Sequence, residues 1–124
     1  MREYNNGEWT VGRFRSFIIS SARAAMRRWP PKWQALKNAS VGKMENKATG
    51  RQAEHYQCAG CERLFLARDV QVDHITPVVE PAVGFVDWET YFDRLFCEVD
   101  NLQVLCKKCH NKKTKEERAE RKRK

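Results

Sequence analysis

Apolar residues in the first third of the chain recur at the spacing of one helical face. This face comprises Phe14, Phe17, Ile18, Ala22, Ala25 and Trp29. The spacing predicts a helix over residues 13–29, which the following Pro30-Pro31 pair would end. Pro31 suits the first turn of a second, shorter helix that reaches about residue 38.

A polar stretch with glycines, residues 41–50, follows these helices and predicts a loop. The loop separates a basic helical arm from the rest of the chain. We therefore expect two units, with the arm over residues 1–50 and a second unit over residues 51–124.

Shorter apolar patterns mark the second unit. Residues 54–58 predict a short strand, and the alternating Val70 and Val72 mark another strand that ends near Pro77. The helically spaced set after the next loop is Trp88, Tyr91, Phe92 and Leu95. It predicts a helix over residues 87–96 with Asp87 as its N-cap. A further strand is expected at 102–105 and a charged helix over 110–124, so the fold class is α+β.

Charge changes the picture by suggesting a partner. The net charge is +8, which favours a polyanion such as nucleic acid. Residues 1–57 hold 11 Lys/Arg against 4 Asp/Glu, residues 58–110 hold 5 against 9, and residues 111–124 hold 8 against 3. Two basic arms therefore flank an acidic middle, a layout suited to a central divalent cation with phosphate contacts on either side.

Four of the five cysteines form two C-x-x-C pairs, Cys58/Cys61 and Cys106/Cys109. Two such pairs are the usual ligand set of a tetrahedral structural zinc ion, although residues 62–105 make an unusually long gap between them. The alternative is four reduced cysteines packed by chance. The fifth, Cys97, is expected to be a buried free thiol.

The odd cysteine count and the polar N-terminus argue against a secreted disulfide framework, and no apolar run is long enough to span a membrane. We expect a protein of the bacterial host cytoplasm.

An adjacent acidic residue and histidine, Asp73-His74, lie between the pairs, and a further histidine, His110, directly follows the second pair. A carboxylate and an imidazole suit a second, reactive cation. The bland alternatives are an ordinary strand end at Asp73-His74 and a His110 that merely follows the cysteines, or competes with Cys109 for zinc.

The ordered motifs carry a family resemblance. C-x-x-C, then V-D-H-I-x-P at 72–77, then N-L-x-x-L-C-x-x-C-H-x-x-K-T at 101–114 resembles the HNH endonuclease family, in its zinc-stapled phage and McrA-like branch. The resemblance covers about residues 56–115. It implies a ββα-metal core of two antiparallel strands, a long intervening loop and a crossing helix.

The resemblance also implies roles for individual residues. It places the family's first histidine on His74, its asparagine on Asn101 and its last histidine on His110. His74 is then the expected general base, while Asp73 and His110 would hold the catalytic cation. The expected ion is Mg²⁺ or Mn²⁺, with Zn²⁺ or Ni²⁺ as further candidates. Asn101 would orient the His74 loop or contact the metal site indirectly.

The resulting hypothesis is a metal-dependent DNA endonuclease or nickase. The residues expected to contact DNA phosphates are Arg13, Arg15, Arg23, Arg27, Arg28, Lys112 and Lys113. Phosphate contacts carry no base information, so duplex DNA would be bound with weak or no sequence specificity. A monomer is expected rather than a dimer, with a protein partner from a phage or restriction assembly as a further expectation. The alternative is a non-catalytic, zinc-containing adaptor that binds nucleic acid.

Overall fold

The computed structural model describes residues 4–122. Its helices are α1 (Val11–Ala25), α2 (Pro30–Ala39), α3 (Trp88–Leu95) and α4 (Lys107–Lys122). Its strands are β1 (Ser40–Glu45), β2 (Gln52–Gln57), β3 (Leu64–Leu66), β4 (Val70–His74) and β5 (Leu102–Cys106). The α+β class is confirmed.

Helix α1 begins after Thr10, whose side chain accepts a hydrogen bond from the Arg13 backbone N–H at 3.1 Å. It ends at residue 25, four residues earlier than predicted, because residues 26–28 tighten into a 3₁₀ turn before the proline pair. The predicted apolar face is only partly inward. Phe17 is 52% exposed and packs against the ring of Trp9, whereas Ala22 is buried.

The predicted loop at 41–50 is wrong in its first half. Residues 40–45 form β1, which pairs antiparallel with β2 from Gly42↔His55 to Glu45↔Gln52. Most of β1 is exposed, so the alternation of apolar and polar residues that marks a half-buried strand is missing from its sequence. Strand β3 pairs with the other edge of β2 and completes a three-stranded sheet.

A separate two-stranded sheet joins β4 to β5. The pairing is antiparallel, from Val70↔Cys106 to His74↔Leu102, and the segment between the strands contains α3. Helix α4 continues directly from β5, three residues earlier than predicted, and the last two residues of its predicted range lie outside the described part of the chain. The antiparallel strands β4 and β5 are thus paired, and α4 continues directly from the end of β5.

Two apolar clusters hold these elements together. One joins α1, α3 and the loop before α3 through Ala22, Val78, Tyr91 and Leu95, while the other lies under the cysteines around Cys58, Leu105 and Cys106. A hydrogen bond also connects the segment before α2 to the segment after α3, because the Trp29 indole N–H donates to the Cys97 carbonyl at 2.6 Å. Residues on both sides of position 50 share these contacts, and the division into two units stays a prediction. None of the described helices is long and apolar enough to cross a membrane.

Candidate functional site

The four paired cysteines converge on one point, as predicted. Cys58 and Cys61 lie on the turn after β2, while Cys106 ends β5 and Cys109 lies in the first turn of α4. All four sulfur atoms lie within 4.8 Å of one another, and the Sγ atoms of Cys61 and Cys106 are 3.9 Å apart. This group, the "cysteine cluster" below, could hold a metal ion, and its four soft sulfur donors suit zinc.

Backbone N–H groups already favour the charged form of one ligand. Cys58 is 0% exposed, and its sulfur accepts hydrogen bonds from the backbone of Gly60 and Cys106 at 3.3 Å and of Cys61 at 3.5 Å. Burial opposes ionisation, but these donors together lower the pKa of the Cys58 thiol to about 6. The neighbouring sulfurs of Cys106 and Cys58 instead raise the pKa of Cys109 to about 12. A divalent cation would remove this conflict by stabilising all four thiolates.

A second cluster of polar side chains, separate from the cysteines, lies where the end of β4 contacts α4. Asp73 Oδ1 lies 3.7 Å from Nε2 of His110, and its Oδ2 accepts hydrogen bonds from Lys113 Nζ at 2.7 Å and from Gln103 Nε2 at 3.3 Å. His110 and Lys113 are three residues apart on α4 and therefore share a face. The structure thus brings together Asp73 and His110, two of the residues singled out in the sequence.

Lys113 is held by oxygen atoms of the protein itself. Its ammonium contacts Asp73, the His74 carbonyl oxygen at 2.5 Å and a carboxylate oxygen of Glu117 at 3.2 Å. Burial opposes its charge, but Asp73 and Glu117 raise the pKa of Lys113 above its ordinary value. The side chain expected to contact phosphate therefore ties α4 to the end of β4.

His74 lies on the other side of the strand from Asp73, since consecutive residues of a strand point to opposite faces. Its Nε2 lies 2.8 Å from the carbonyl oxygen of Leu95 at the end of α3. A carbonyl can only accept, so Nε2 carries the proton and Nδ1 of the neutral ring is the basic nitrogen. Of the described His, Cys, Asp and Glu residues, only the cysteine cluster forms a group of three or more with ligand atoms within 4.8 Å. His74 therefore does not join Asp73 and His110 in such a group.

Asn101 is placed beside the segment that follows His74. Its side chain accepts from the Thr76 backbone N–H at 3.0 Å and donates to the Thr76 carbonyl at 3.4 Å. Its own carbonyl accepts from Ile75 at 2.8 Å. These contacts support the first of its two expected roles, orientation of the loop after His74.

The five arginines of α1 and of the 3₁₀ turn that follows it fall into two sets. The guanidinium groups of Arg13 and Arg15 stack over the rings of Trp9 and Phe85, at 4.8 and 4.3 Å from the ring centroids. The remaining three, Arg23, Arg27 and Arg28, are exposed. Arg13 also remains exposed despite its ring contact, whereas Arg15 is half-buried.

Sequence reasoning missed two partners of the Asp73 group. Gln103 lies opposite Asp73 in the β4–β5 register, and Glu117 lies one helical turn beyond Lys113. The i, i+4 spacing of Lys113 and Glu117 was available as a signal. The Gln103 contact required the strand register, which sequence periodicity does not specify for two short strands.

Similarity to a known protein bears on the function of this site. A "Probable HNH endonuclease" of Lactococcus phage SK1 is 40% identical over 67 residues, which make up 53% of this chain and 62% of that protein. The resemblance to HNH endonucleases is confirmed. The chain spans less than two thirds of the length of this HNH relative. No family model and no solved structure matches the chain.

Proposed function

We propose that the protein is a metal-dependent HNH endonuclease that hydrolyses DNA phosphodiester bonds. In this proposal β4, β5 and α4 form the ββα-metal core. The observation that supports it best is the 3.7 Å approach of His110 to Asp73, because the two residues lie on different elements and are the family's expected metal ligands.

Asp73 and His110 would hold one divalent cation, which supplies charge neutralisation at the phosphate and at the departing 3′ oxygen. Mg²⁺ or Mn²⁺ suits this oxygen-and-nitrogen pair with water completing the shell. Lys113 and Gln103 hold the Asp73 carboxylate in place through its other oxygen atom.

His74 would act as the general base. The Leu95 carbonyl fixes the ring through Nε2, which leaves Nδ1 to accept a proton from the attacking water. Asn101 stabilises the turn that follows His74 and so limits the freedom of the strand end.

The cysteine cluster would hold a structural zinc ion. Cys106 and Cys109 straddle the junction of β5 and α4, and His110 and Lys113 follow within the same helix. Zinc binding would therefore fix the start of α4 and, with it, the position of His110 relative to Asp73.

DNA is the proposed substrate, and we keep Arg23, Arg27 and Arg28 as proposed phosphate contacts because they are exposed. One core of this kind makes one cut, so a monomer would nick one strand. Sequence specificity is expected to be weak, since no described element is assigned to base contacts.

A plasmid-nicking assay tests the proposal. The zinc-loaded protein should convert supercoiled plasmid to the open circle when Mg²⁺ or Mn²⁺ is added. His74→Ala should lower the rate about 10²–10⁴-fold, because general-base catalysis contributes a factor of that size. Zinc content and circular dichroism should be unchanged.

His55→Ala is the matched control, because His55 lies on β2, outside the proposed site, and its ring nitrogen Nδ1 contacts the nearby Ala53 carbonyl at 2.8 Å. It should cut at the wild-type rate. Full activity in His74→Ala would refute the proposed base. A wild-type protein that binds plasmid but does not nick it with Mg²⁺, Mn²⁺, Zn²⁺ or Ni²⁺ would favour the adaptor alternative.

A further inference from the structure

A basic groove lies beside the cysteine cluster, between β3, its flanking turns and the first half of α4. Its volume is about 1040 Å³, and its lining includes Phe65 and three residues of the cysteine cluster, Cys61, Cys106 and Cys109. Its basic residues are Arg63, Lys107, Lys108, Lys112 and Lys115, and all five are exposed. Asp69 is the acidic residue of the lining.

The groove uses the face of α4 that points away from Asp73. Lys108, Lys112 and Lys115 follow one another at helical spacing and line the groove. His110, Lys113 and Glu117 occupy the opposite face, where Lys113 and His110 contact Asp73. Neighbouring lysines of one helix therefore serve two different surfaces.

We propose that this groove is a second phosphate-binding surface, which holds the DNA backbone away from the bond that is cut. Five basic side chains outweigh one carboxylate and the zinc-loaded cysteine cluster, whose four thiolates on one Zn²⁺ carry a net charge of about −2. The groove therefore keeps a net positive charge of about +2, which suits a polyanion. The lysines from 107 to 115 extend about 12 Å along α4, which equals the rise along the duplex axis of about three to four nucleotides of one DNA strand. The proposal rests on the proposed function for the identity of the polyanion, and it does not depend on hydrolysis.

A different role for these lysines would be to neutralise the thiolates of the cysteine cluster. That role suits Lys107 and Lys108, which lie next to Cys106 and Cys109 in the chain. It does not suit Lys115, which lies six residues beyond Cys109, about 9 Å farther along the helix. An exposed charge at such a distance is largely screened from the cluster by water and salt.

Fluorescence anisotropy with a labelled DNA duplex, without added divalent cation, tests the proposal on the full zinc-loaded chain. Lys108→Gln/Lys112→Gln/Lys115→Gln removes three groove charges. The matched control Lys43→Gln/Lys47→Gln/Arg51→Gln removes three exposed charges from the β1–β2 hairpin. The slope of log affinity against log salt should become shallower by ~2.7 in the groove variant, or ~0.9 for each lost phosphate contact. In the hairpin variant, the slope should change by less than the ~0.9 that corresponds to one phosphate contact.

Equal loss in the two triple variants would overturn the proposal, because net charge alone would then explain binding. A groove variant that keeps the wild-type salt slope but loses zinc would also overturn it, in favour of thiolate neutralisation. Lys115→Glu alone covers the case in which the triple variant does not fold, and it should flatten the slope by ~0.9 or more. Groove-dependent binding without any nicking would refute the proposed function and leave this surface standing.

Discussion

At the scale of single residues, Lys113 of α4 contacts both a side chain and a backbone carbonyl at the end of β4. Its ammonium contacts the Asp73 carboxylate and the His74 carbonyl, so it orders both sides of the strand end. We expect a lysine held in this way to position the proposed catalytic groups rather than to attract DNA.

Lys113→Met should therefore lower kcat of plasmid nicking about 10–100-fold and change KM less than twofold. The expected fall in kcat corresponds to the loss of one charge-assisted hydrogen bond, which is worth about 1.5–3 kcal/mol. Lys112→Met is the contrast, because Lys112 lines the basic groove and its loss should raise KM. A raised KM with unchanged kcat in Lys113→Met would show a phosphate contact instead.

The motif order was enough to pair Asp73 with His110, because the spacing of the family motif includes both residues. It could not give the partner of Lys113. A lysine beside an acidic strand end and a lysine pointing to solvent have the same sequence signature, and only the docking angle of α4 on β4 decides between them. The orientation of His74 toward Leu95 is likewise set by where α3 ends, and no periodicity reports that.

At the scale of elements, the turn carrying Cys58 and Cys61 shows why its glycine is needed. A Cβ added to Gly60 would lie 3.1 Å from the Cys109 sulfur and 3.2 Å from its Cβ. The left-handed residue of the turn is Glu62, with φ of 63°. Gly60 therefore permits the close approach of the two cysteine pairs.

Gly60→Ala should destabilise the zinc-loaded protein by about 1–3 kcal/mol, the usual cost of overpacking a tight contact. Glu62→Gly should be neutral or stabilising, since glycine adopts a positive φ without strain. Urea unfolding at fixed free zinc measures both. Equal stability of Gly60→Ala and wild type would mean that the turn can shift away from Cys109.

Helix α3 depends on its cap. The Asp87 carboxylate accepts from the Thr90 backbone N–H at 2.7 Å, and this bond lowers the pKa of Asp87 below its ordinary 3.8. The cap thus contributes stability that is complete above the unfolded-state pKa and is lost as pH falls through the lower folded-state value.

The melting temperature of wild type should therefore exceed that of Asp87→Ala near neutral pH, and the difference should shrink as the solution is acidified below about pH 4. Both proteins carry the same cysteine cluster, so the difference isolates the cap. A difference in melting temperature that stayed constant as the pH fell below about 4 would show that the Asp87 carboxylate does not cap α3 as described.

The sequence predicted helix α3, which has a buried face, but it did not predict strand β1, which is mostly exposed. Helix α3 was predicted almost to the residue because its four apolar positions fill the core. Strand β1 was missed because it is stabilised by backbone pairing with β2, and most of its side chains remain in solvent. Backbone hydrogen bonding leaves no mark in hydrophobic periodicity.

At the scale of the whole molecule, the cysteine cluster connects the two sheets. Cys58 lies on the turn between β2 and β3 of the three-stranded sheet, and Cys106 ends β5 of the two-stranded sheet. A structural zinc ion supplies an apparent binding free energy of about 10–16 kcal/mol, comparable to the total stability of a domain. Loss of the metal should therefore unfold the whole protein.

Cys58→Ser and Cys109→Ser should each abolish cooperative unfolding, zinc binding and nicking, even with excess Mg²⁺. Cys97→Ser is the matched control, since Cys97 lies outside the cluster and is half-buried. It should keep its zinc and its cutting rate. A folded, active Cys109→Ser protein would show that the four sulfurs do not form a structural metal site.

The position of α4 after β5 has a consequence during synthesis on the ribosome. Asp73, His74 and Cys58 are made before Cys106, Cys109, His110 and Lys113, which lie farther along the chain. A growing polypeptide would hold only half of the cysteine cluster, and half of the proposed catalytic cation site, until this helix leaves the exit tunnel. Under the proposed function, the nascent chain would therefore be unable to cut nearby DNA before α4 is made.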